Sequence, residues 1–229
     1  MTDVAVVMPW TDDGCEHRAR ARRWVTRRWT AIGWPIVHGR SRGAEYSRSR
    51  AIIDGAHRTD AEVLVIADAD VWCDRIAGAV DELAADPDRG WAVPHRDVHR
   101  LTEDATAAVL AGADPHESMP LTTGAYLGHP FGGLVVVTRP VLELVPDPRF
   151  VGWGHEDDSA CRALITMIGP PLRPTRIDGP VPLWHLWHPP QPTRRGNRGP
   201  KANRALWNRY RARTNNRARM AALIKEGRT

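Results

Sequence analysis

The segment FVGWGHEDDSACRAL, residues 150–164, places three acids in a row directly after a Gly-Trp-Gly turn. Neighbouring carboxylates such as Glu156, Asp157 and Asp158 repel one another and raise each other's pKa. The residues after the turn have the pattern of a helix, whose N-terminus stabilises carboxylates through unpaired N–H groups and its dipole. Helix capping alone would explain the acids. We favour a catalytic role, because the aromatic face of Trp153 beside carboxylates suits holding a sugar ring while a base removes a hydroxyl proton.

A second pair of acids ends the apolar segment AEVLVIADADVW, which has the pattern of a buried strand. Asp68 and Asp70 are separated by one residue, and a turn at the strand end would let them point in different directions. One could bind Mg²⁺ or Mn²⁺, which prefer oxygen ligands, and the other a sugar or ribose hydroxyl. A solvated turn is the alternative, since D-x-D is common by chance.

Two histidines, His185 and His188, lie three residues apart in LWHLWHP, each beside a tryptophan. An imidazole in such an apolar setting needs a partner for each ring nitrogen. Considered singly, either could be a core histidine bonded to backbone. Together, downstream of the D-x-D and the acidic helix start, they favour a metal site of carboxylate and imidazole ligands. The ion could then neutralise a leaving diphosphate.

The elements that would position these residues alternate along the first part of the chain. Apolar runs VAVVMPW, PIVHG and AEVLVIAD predict strands, and CEHRARARRWVTRRWTAIG and RSRAIIDGAHRT predict the helices between them. This order predicts an α/β fold with a mostly parallel central sheet. Ligands gather beyond the carboxyl ends of the strands in such sheets, and this rule points to Pro9, Asp68 and Asp70.

The second part of the chain carries further predicted elements and a basic end. In order they are a helix at RIAGAVDELAAD, a strand at GWAVPHRDV, a Gly-rich and Pro-rich loop from about Leu110 to Pro130 that could act as a lid, a strand at GGLVVVTRP, a short helix at PVLELV, the acidic helix EDDSACRALITMIG, and a strand at PVPLWHLWHP. PPQPTRRGNRGP has the composition of a linker, and residues 202–224 predict one final helix. We therefore expect a catalytic domain over residues 1–190 and a basic linker and helix over residues 191–229.

Composition limits the class of protein. The chain has 229 residues, 42% hydrophobic and 26% charged, which suits one globular domain. No apolar run approaches the roughly 18 residues of a membrane span, and the N-terminus shows no secretory signal, so we expect a cytoplasmic protein. Three cysteines far apart, Cys15, Cys73 and Cys161, exclude a disulfide framework or a cysteine zinc site.

Charge supports a competing hypothesis. Residues 194–228 contain twelve Lys and Arg and a single acid, Glu226, whereas acids outnumber bases in the rest of the chain. A nucleic-acid or polyanion binding protein could act through this end, with Trp207 and Tyr210 stacking on bases. A helix docked on the acidic body explains the same charges. A metal-dependent phosphodiesterase is a third hypothesis, and it leaves the GWG and FGG segments without a role.

The order and separation of these motifs resemble those of the GT-A fold glycosyltransferases, specifically the β-1,4-galactosyltransferase and polypeptide N-acetylgalactosaminyltransferase type of catalytic domain. The resemblance covers about residues 4–188 and implies a Rossmann-like fold. It implies that Pro9 lines a uridine pocket. Their FNRAK segment is similar to YSRSR here, which implies Tyr46 against the base and Arg48 near the diphosphate or ribose. Asp68 would bind the donor, Asp70 would bind the metal, and Trp153 would stack on a sugar or close over the phosphates.

The same resemblance implies the acceptor side and the reaction. The family's FGG acceptor strand is matched by Phe131, Gly132 and Gly133, and GWGxEDD is repeated in full at residues 152–158. The galactosyltransferase Met-x-x-His pair becomes His185 and His188. Ile53 replaces the usual Asn, and the membrane anchor and disulfides of the animal enzymes are absent.

The implied enzyme is an inverting transferase that uses Mn²⁺ or Mg²⁺. It would move a sugar from a nucleotide-diphosphate donor, a UDP-sugar being favoured, to a hydroxyl of a glycan, protein, lipid or modified nucleic acid. Asp157 is the expected base, and Glu156 or Asp158 would orient the acceptor.

Overall fold

The computed structural model describes residues 2–43, 45–117, 119–152, 154–173, 181–190 and 201–228. Its strands are β1 (Val4–Pro9), β2 (Ile36–Gly39), β3 (Val63–Ala67), β4 (Val71–Trp72), β5 (Trp91–Ala92), β6 (Asp97–Arg100), β7 (Tyr126–Leu127), β8 (Leu134–Thr138) and β9 (Pro182–His185). Its α-helices are α1 (Glu16–Ile32), α2 (Arg48–Ala56), α3 (Ile76–Ala85), α4 (Glu103–Ala111), α5 (Glu156–Met167), α6 (Lys201–Arg211) and α7 (Arg217–Glu226). Short 3-10 helices cover Pro87–Arg89 and Arg139–Glu143.

The central sheet has the strand order β2-β1-β3-β8-β5. β1 pairs in parallel with β2 and β3, whereas β8 is antiparallel to both of its neighbours, β3 and β5. Only β8 therefore runs against the other strands. The predicted α/β fold with a mostly parallel central sheet is confirmed.

Both faces of this sheet are covered, because its central strands are apolar along their whole length. Val4, Val6 and Met8 of β1 face one core cluster, where Trp24, Val25 and Trp29 of α1 pack. The alternate residues Ala5 and Val7 face a second cluster, which contains apolar side chains of α2 and α5. With helices on both faces, the carboxyl ends of β1 and β3 are left to form a site.

A second, smaller sheet was not predicted from the sequence. Its order is β4-β9-β6-β7, with β4 antiparallel and β6 parallel to β9. The strand predicted at GWAVPHRDV is divided, since β5 belongs to the central sheet and β6 to the second. Pro94 lies between them and has no N–H for a sheet hydrogen bond. Helix α4, capped by Thr102, and strand β7 in the predicted loop were also missed.

The single helix predicted over residues 202–224 is wrong, because two helices form there. Asn215 adopts a left-handed φ of 63°, and the Asn216 side chain caps α7 by accepting a hydrogen bond from Arg219 N. Both helices bury an apolar face in the second core cluster: Leu206, Tyr210, Met220, Leu223 and Ile224. Most of the predicted linker lies at residues 191–200, outside the described residues, and the domain boundary at residue 190 stays a prediction. None of the described helices is both long and apolar enough to cross a membrane.

A pair of glycine substitutions tests the packing of β2 on α2. A Cβ at Gly39 would lie 1.9 Å from Ala51 O, whereas one at exposed Gly78 in α3 would meet nothing within 4 Å. We expect Gly39→Ala to lower the free energy of unfolding by about 1–3 kcal/mol through overpacking. Gly78→Ala should raise it by up to about 1 kcal/mol through helix propensity. Urea denaturation measures both, and equal effects would contradict the close approach.

Candidate functional site

One pocket lies at the carboxyl ends of β1 and β3, between the start of α2 and the end of β9. Seven residues that the sequence analysis selected line it together: Pro9, Tyr46, Arg48, Asp68, Asp70, His185 and His188. These residues come from four separate segments of the chain. The structure therefore places the predicted donor-binding and metal-binding groups in a shared cleft.

A carboxylate and two imidazoles converge on one side of this pocket. Ligand atoms of Asp70, His185 and His188 all lie within 4.8 Å of one another, and His188 Nε2 is 3.2 Å from Asp70 Oδ2. The second sheet brings them together, because Val71 of β4 pairs with His185 of β9. Leu186 N also donates to Asp70 O at 2.9 Å. Sheet pairing thus joins two parts of the sequence more than a hundred residues apart.

The imidazoles are oriented in a way that suits a divalent cation. His185 Nδ1 lies 3.0 Å from Leu186 O, and His188 Nδ1 lies 3.0 Å from Pro189 O. A neutral ring with its proton on Nδ1 would donate to the carbonyl and leave Nε2 as an acceptor; in this structure the Nε2 atom faces Arg100 Nη1 at 3.2 Å in His185 and Asp70 Oδ2 at 3.2 Å in His188. Burial lowers the pKa of His185, which favours the neutral ring. Burial opposes ionisation of Asp70, but His185 and His188 outweigh it and hold its pKa below the ordinary value.

Arg48 joins the other acid of the D-x-D to the acidic helix. Its Nε donates to Asp68 Oδ1 at 2.7 Å, and its Nη1 donates to Asp157 Oδ1 at 2.9 Å. The Arg48 side chain is only 7% exposed. Burial alone would lower the pKa of Arg48, but the two carboxylates raise it above its ordinary value, so the guanidinium stays charged. Asp68 and Asp70 therefore face different partners, as a turn at the strand end allows.

The start of α2 is tied to the segment that precedes the acids. Ser47 caps α2 by accepting from Arg50 N, and its own hydroxyl donates to Phe150 O at 2.6 Å. Gly152 N donates to Tyr46 O at 2.8 Å. Tyr46 is mostly buried, and burial raises its pKa well above the ordinary value, so the phenol keeps its proton.

The three adjacent acids at the start of α5 have three different environments. Burial raises the pKa of Asp157 to about 7, Glu156 and Asp68 act in the same direction, and Arg48 and His129 oppose them. Asp158 lies 3.0 Å from His129 Nδ1, and this hydrogen bond lowers its pKa. Burial raises the pKa of Glu156, which is 8% exposed. Asp157 is thus an acid whose charge changes near neutral pH.

The FGG segment forms a wall against this acid. A Cβ on Gly132 would lie 3.2 Å from Asp157 Oδ2, and Gly133 has φ 75° and accepts from Asp68 N at 2.7 Å. Phe131 is buried in the second core cluster. Its side chain packs in the core, and a role of this residue in acceptor binding stays a prediction. Trp153 lies outside the described residues.

Sequence reasoning missed five residues that line the pocket: Trp10, Thr11, Arg18, Ala69 and Arg100. Arg18 of α1 pairs with Asp13 at 2.6 Å, and its Nη2 lies 3.5 Å from His188 Nδ1. Arg100 Nη1, on β6, lies 3.2 Å from His185 Nε2. Neither could be recognised among 32 Lys and Arg. Because α1 follows Pro9 closely in the sequence, its first residues could have been expected near the pocket. No such indication existed for Arg100, because β6 belongs to the second sheet, which was not predicted.

The bridge made by Arg48 is testable through protein stability. Arg48→Ala would leave Asp68 and Asp157 without their buried cation. We expect a loss of about 2–3 kcal/mol at pH 8, less than for a fully buried pair because both carboxylates are partly exposed. The loss should shrink toward pH 5, since protonation removes the unpaired charges. Urea denaturation at both pH values measures this, with exposed Arg20→Ala as control; a loss that does not change with pH would contradict the bridge.

Comparisons with known proteins agree with the fold. No family model matches the sequence, and no curated protein does. Among solved structures, GalNAc-T7 with UDP, GalNAc and Mn²⁺ matches with a TM-score of 0.55 and 14% identity, covering 99% of this chain and 55% of that one. The present chain thus spans about half the length of that structure.

Two further structures match with TM-scores too low to support a conclusion. One is Drosophila β1,4-galactosyltransferase 7 with manganese, UDP-Gal and xylobiose, with a TM-score of 0.43, 14% identity and coverage of 79% of this chain and 68% of that one. The other is Mycobacterium tuberculosis glucosyl-3-phosphoglycerate synthase with Mn²⁺, UDP and glucosyl-3-phosphoglycerate, with a TM-score of 0.46, 12% identity and coverage of 93% of this chain and 80% of that one. From the GalNAc-T7 likeness and the sheet topology, the chain has a GT-A glycosyltransferase-like fold.

Proposed function

We propose that this protein is a metal-dependent inverting glycosyltransferase that moves a sugar from a nucleotide-diphosphate donor to an acceptor hydroxyl. One observation carries the proposal. The Asp70, His185 and His188 cluster shares a pocket with Arg48, and Arg48 holds Asp157, a carboxylate whose pKa lies near neutrality. Arg48 thereby links the pocket that would bind the anionic donor to a group that could accept a proton.

Asp70, His185 and His188 would hold Mn²⁺ or Mg²⁺. Their donor set fits, because one ionised carboxylate and two imidazole Nε2 atoms are ordinary ligands for such an ion. When bound, the cation would offset the negative charge that develops on the departing diphosphate. The GalNAc-T7 structure contains UDP and Mn²⁺, which supports a UDP-sugar donor and a divalent cation here.

The donor would occupy the side of the pocket formed by β1 and α2. Pro9 and Tyr46 line this region and would contact the base, and Arg48 would lie near the diphosphate or ribose. Asp68 accepts a hydrogen bond from Arg48 and would also accept one from a hydroxyl of the ribose or sugar. Trp153 would stack on the sugar or close over the phosphates.

Asp157 would act as general base. The acceptor hydroxyl gives its proton to the Asp157 carboxylate while its oxygen bonds to the anomeric carbon, and the bond from that carbon to the diphosphate oxygen breaks on the opposite face. Gly132 allows this carboxylate to lie directly against the FGG backbone. Asp158, which is partly exposed, or Glu156 would orient the acceptor.

The alternative function through the basic end is not favoured. Tyr210 is 1% exposed and donates to Asp147 Oδ2 at 2.8 Å, so its ring cannot stack on a base. Trp207 stacks on His155. Within the part of the chain that the structure describes, these contacts support the docked-helix interpretation, and a polyanion contact has no support. Cytoplasmic location stays a prediction.

The base assignment predicts a pH profile. Because Asp157 must be ionised to accept a proton and its pKa is about 7, kcat/KM should fall tenfold per pH unit below that value. Asp157→Asn should lower transfer by roughly 10²–10⁴-fold and remove this acidic limb, while calorimetry shows donor affinity within threefold of the unsubstituted protein. Exposed Asp81→Asn is the matched control. An unaltered profile in Asp157→Asn would place the base elsewhere.

Donor and metal binding can be measured without an acceptor. A thermal-shift screen of nucleotide sugars should show stabilisation that requires Mn²⁺, about 2.7 kcal/mol at a ligand concentration of one hundred times Kd. Asp70→Ala should abolish this metal-dependent shift, and Asp81→Ala should retain it. If Asp70→Ala keeps the full shift, the metal assignment is wrong.

A further inference from the structure

Helix α6 runs alongside the segment that leads into the acidic helix. Asn203, Trp207 and Tyr210 lie on one face of α6, as expected for spacings of four and three residues. Tyr210 bonds to Asp147, Trp207 stacks on His155 with ring centroids 5.9 Å apart, and Asn203 bonds to the residues between. We use the term entry loop for residues 150–152 and 154–155, which precede α5.

Asn203 commits its side chain to the entry loop. Its Nδ2 donates to Val151 O at 3.0 Å and to Gly154 O at 3.2 Å, and its Oδ1 accepts from Val151 N at 3.3 Å. The residue is 1% exposed. A buried amide is unfavourable unless its donors and acceptor are satisfied, and here the backbone of the loop satisfies them.

The opposite side of the entry loop is held by the donor side of the pocket. Gly152 N donates to Tyr46 O at 2.8 Å, and Ser47 Oγ donates to Phe150 O at 2.6 Å. The loop therefore lies between the start of α2 and the face of α6. His155, the last residue of the loop, has φ 71° and leads into Glu156 and Asp157.

We propose that Asn203 is a positioning residue that fixes the entry loop and, through it, the orientation of Asp157. The C-terminal helices then complete the acceptor side of the catalytic unit. The catalytic part of this inference rests on the proposed function, whereas the effect on the loop does not. Asp70, His185 and His188 lie on other elements, so loss of the Asn203 contacts should leave metal binding intact, whereas donor binding can weaken because the loop bonds to Tyr46 and Ser47.

Hydrogen exchange tests the effect on the loop independently of catalysis. Asn203→Ala removes all three hydrogen bonds, and exposed Asn208→Ala makes the same change on the same helix without touching the loop. We expect amides in peptides covering residues 150–158 to exchange at least tenfold faster in Asn203→Ala. Amides of the central sheet and the whole Asn208→Ala protein should match the unsubstituted protein.

Kinetics test the catalytic consequence. In Asn203→Ala, kcat for transfer at saturating donor should fall at least tenfold, while the affinity for Mn²⁺ alone, measured by calorimetry, stays within twofold. Asn203→Asp is a second variant of similar size. It keeps an acceptor for Val151 N but turns a carboxylate oxygen toward the carbonyls of Val151 and Gly154, so its kcat should fall at least as far.

Each outcome decides the inference. Unchanged exchange in residues 150–158, or faster local exchange with unchanged kcat, overturns the positioning role. Faster exchange throughout the central sheet in both Asn203 variants also overturns it, because the residue would then be purely structural. Faster local exchange in a protein whose unsubstituted form transfers no sugar supports the contact with the loop and refutes the proposed function instead.

Discussion

The buried guanidinium of Arg48 is the interaction on which the arrangement of the site depends. A cation this far from water must be paired, and its two partners come from the end of β3 and the start of α5. These contacts help to explain how three adjacent acids can occur at the start of α5. One is held by a cation, one by histidine, and one is buried with a raised pKa. The repulsion that raises the pKa of Asp157 is partly offset because the three side chains have different partners, and the helix dipole contributes further.

Much of the fold could be predicted because its central elements carry strong local patterns. The all-apolar β1 and β3, the amphipathic α1 ending at Gly33 and the acidic start of α5 are evident in short windows of sequence. The second sheet lacked such a pattern, since β4, β5 and β7 have two residues each and show no period. The break between α6 and α7 depends on the left-handed backbone of Asn215, which periodicity does not report.

In the candidate site too, residues with a local sequence pattern could be predicted, and residues placed by tertiary contacts could not. Asp68, Asp70, His185 and His188 were recognisable by residue type and spacing, and the structure joins them in one pocket. Their partners were not recognisable, because Arg18 and Arg100 approach through tertiary contacts. Net charge alone left the interpretation of the C-terminus open. Its arginines line the outer faces of α6 and α7, whereas the sparse apolar positions decide where the helices pack.

The order of the segments along the chain has a consequence for biosynthesis. The pocket combines Pro9 of β1 with His185 at the end of β9 and His188 just after it, and Asn203 of α6, which bonds to the entry loop, comes later still. A ribosome-bound chain that has emerged only as far as α5 would possess Arg48, Asp70 and Asp157 but neither imidazole. The nascent polypeptide therefore cannot bring Asp70, His185 and His188 together until the residues that follow α5 have emerged.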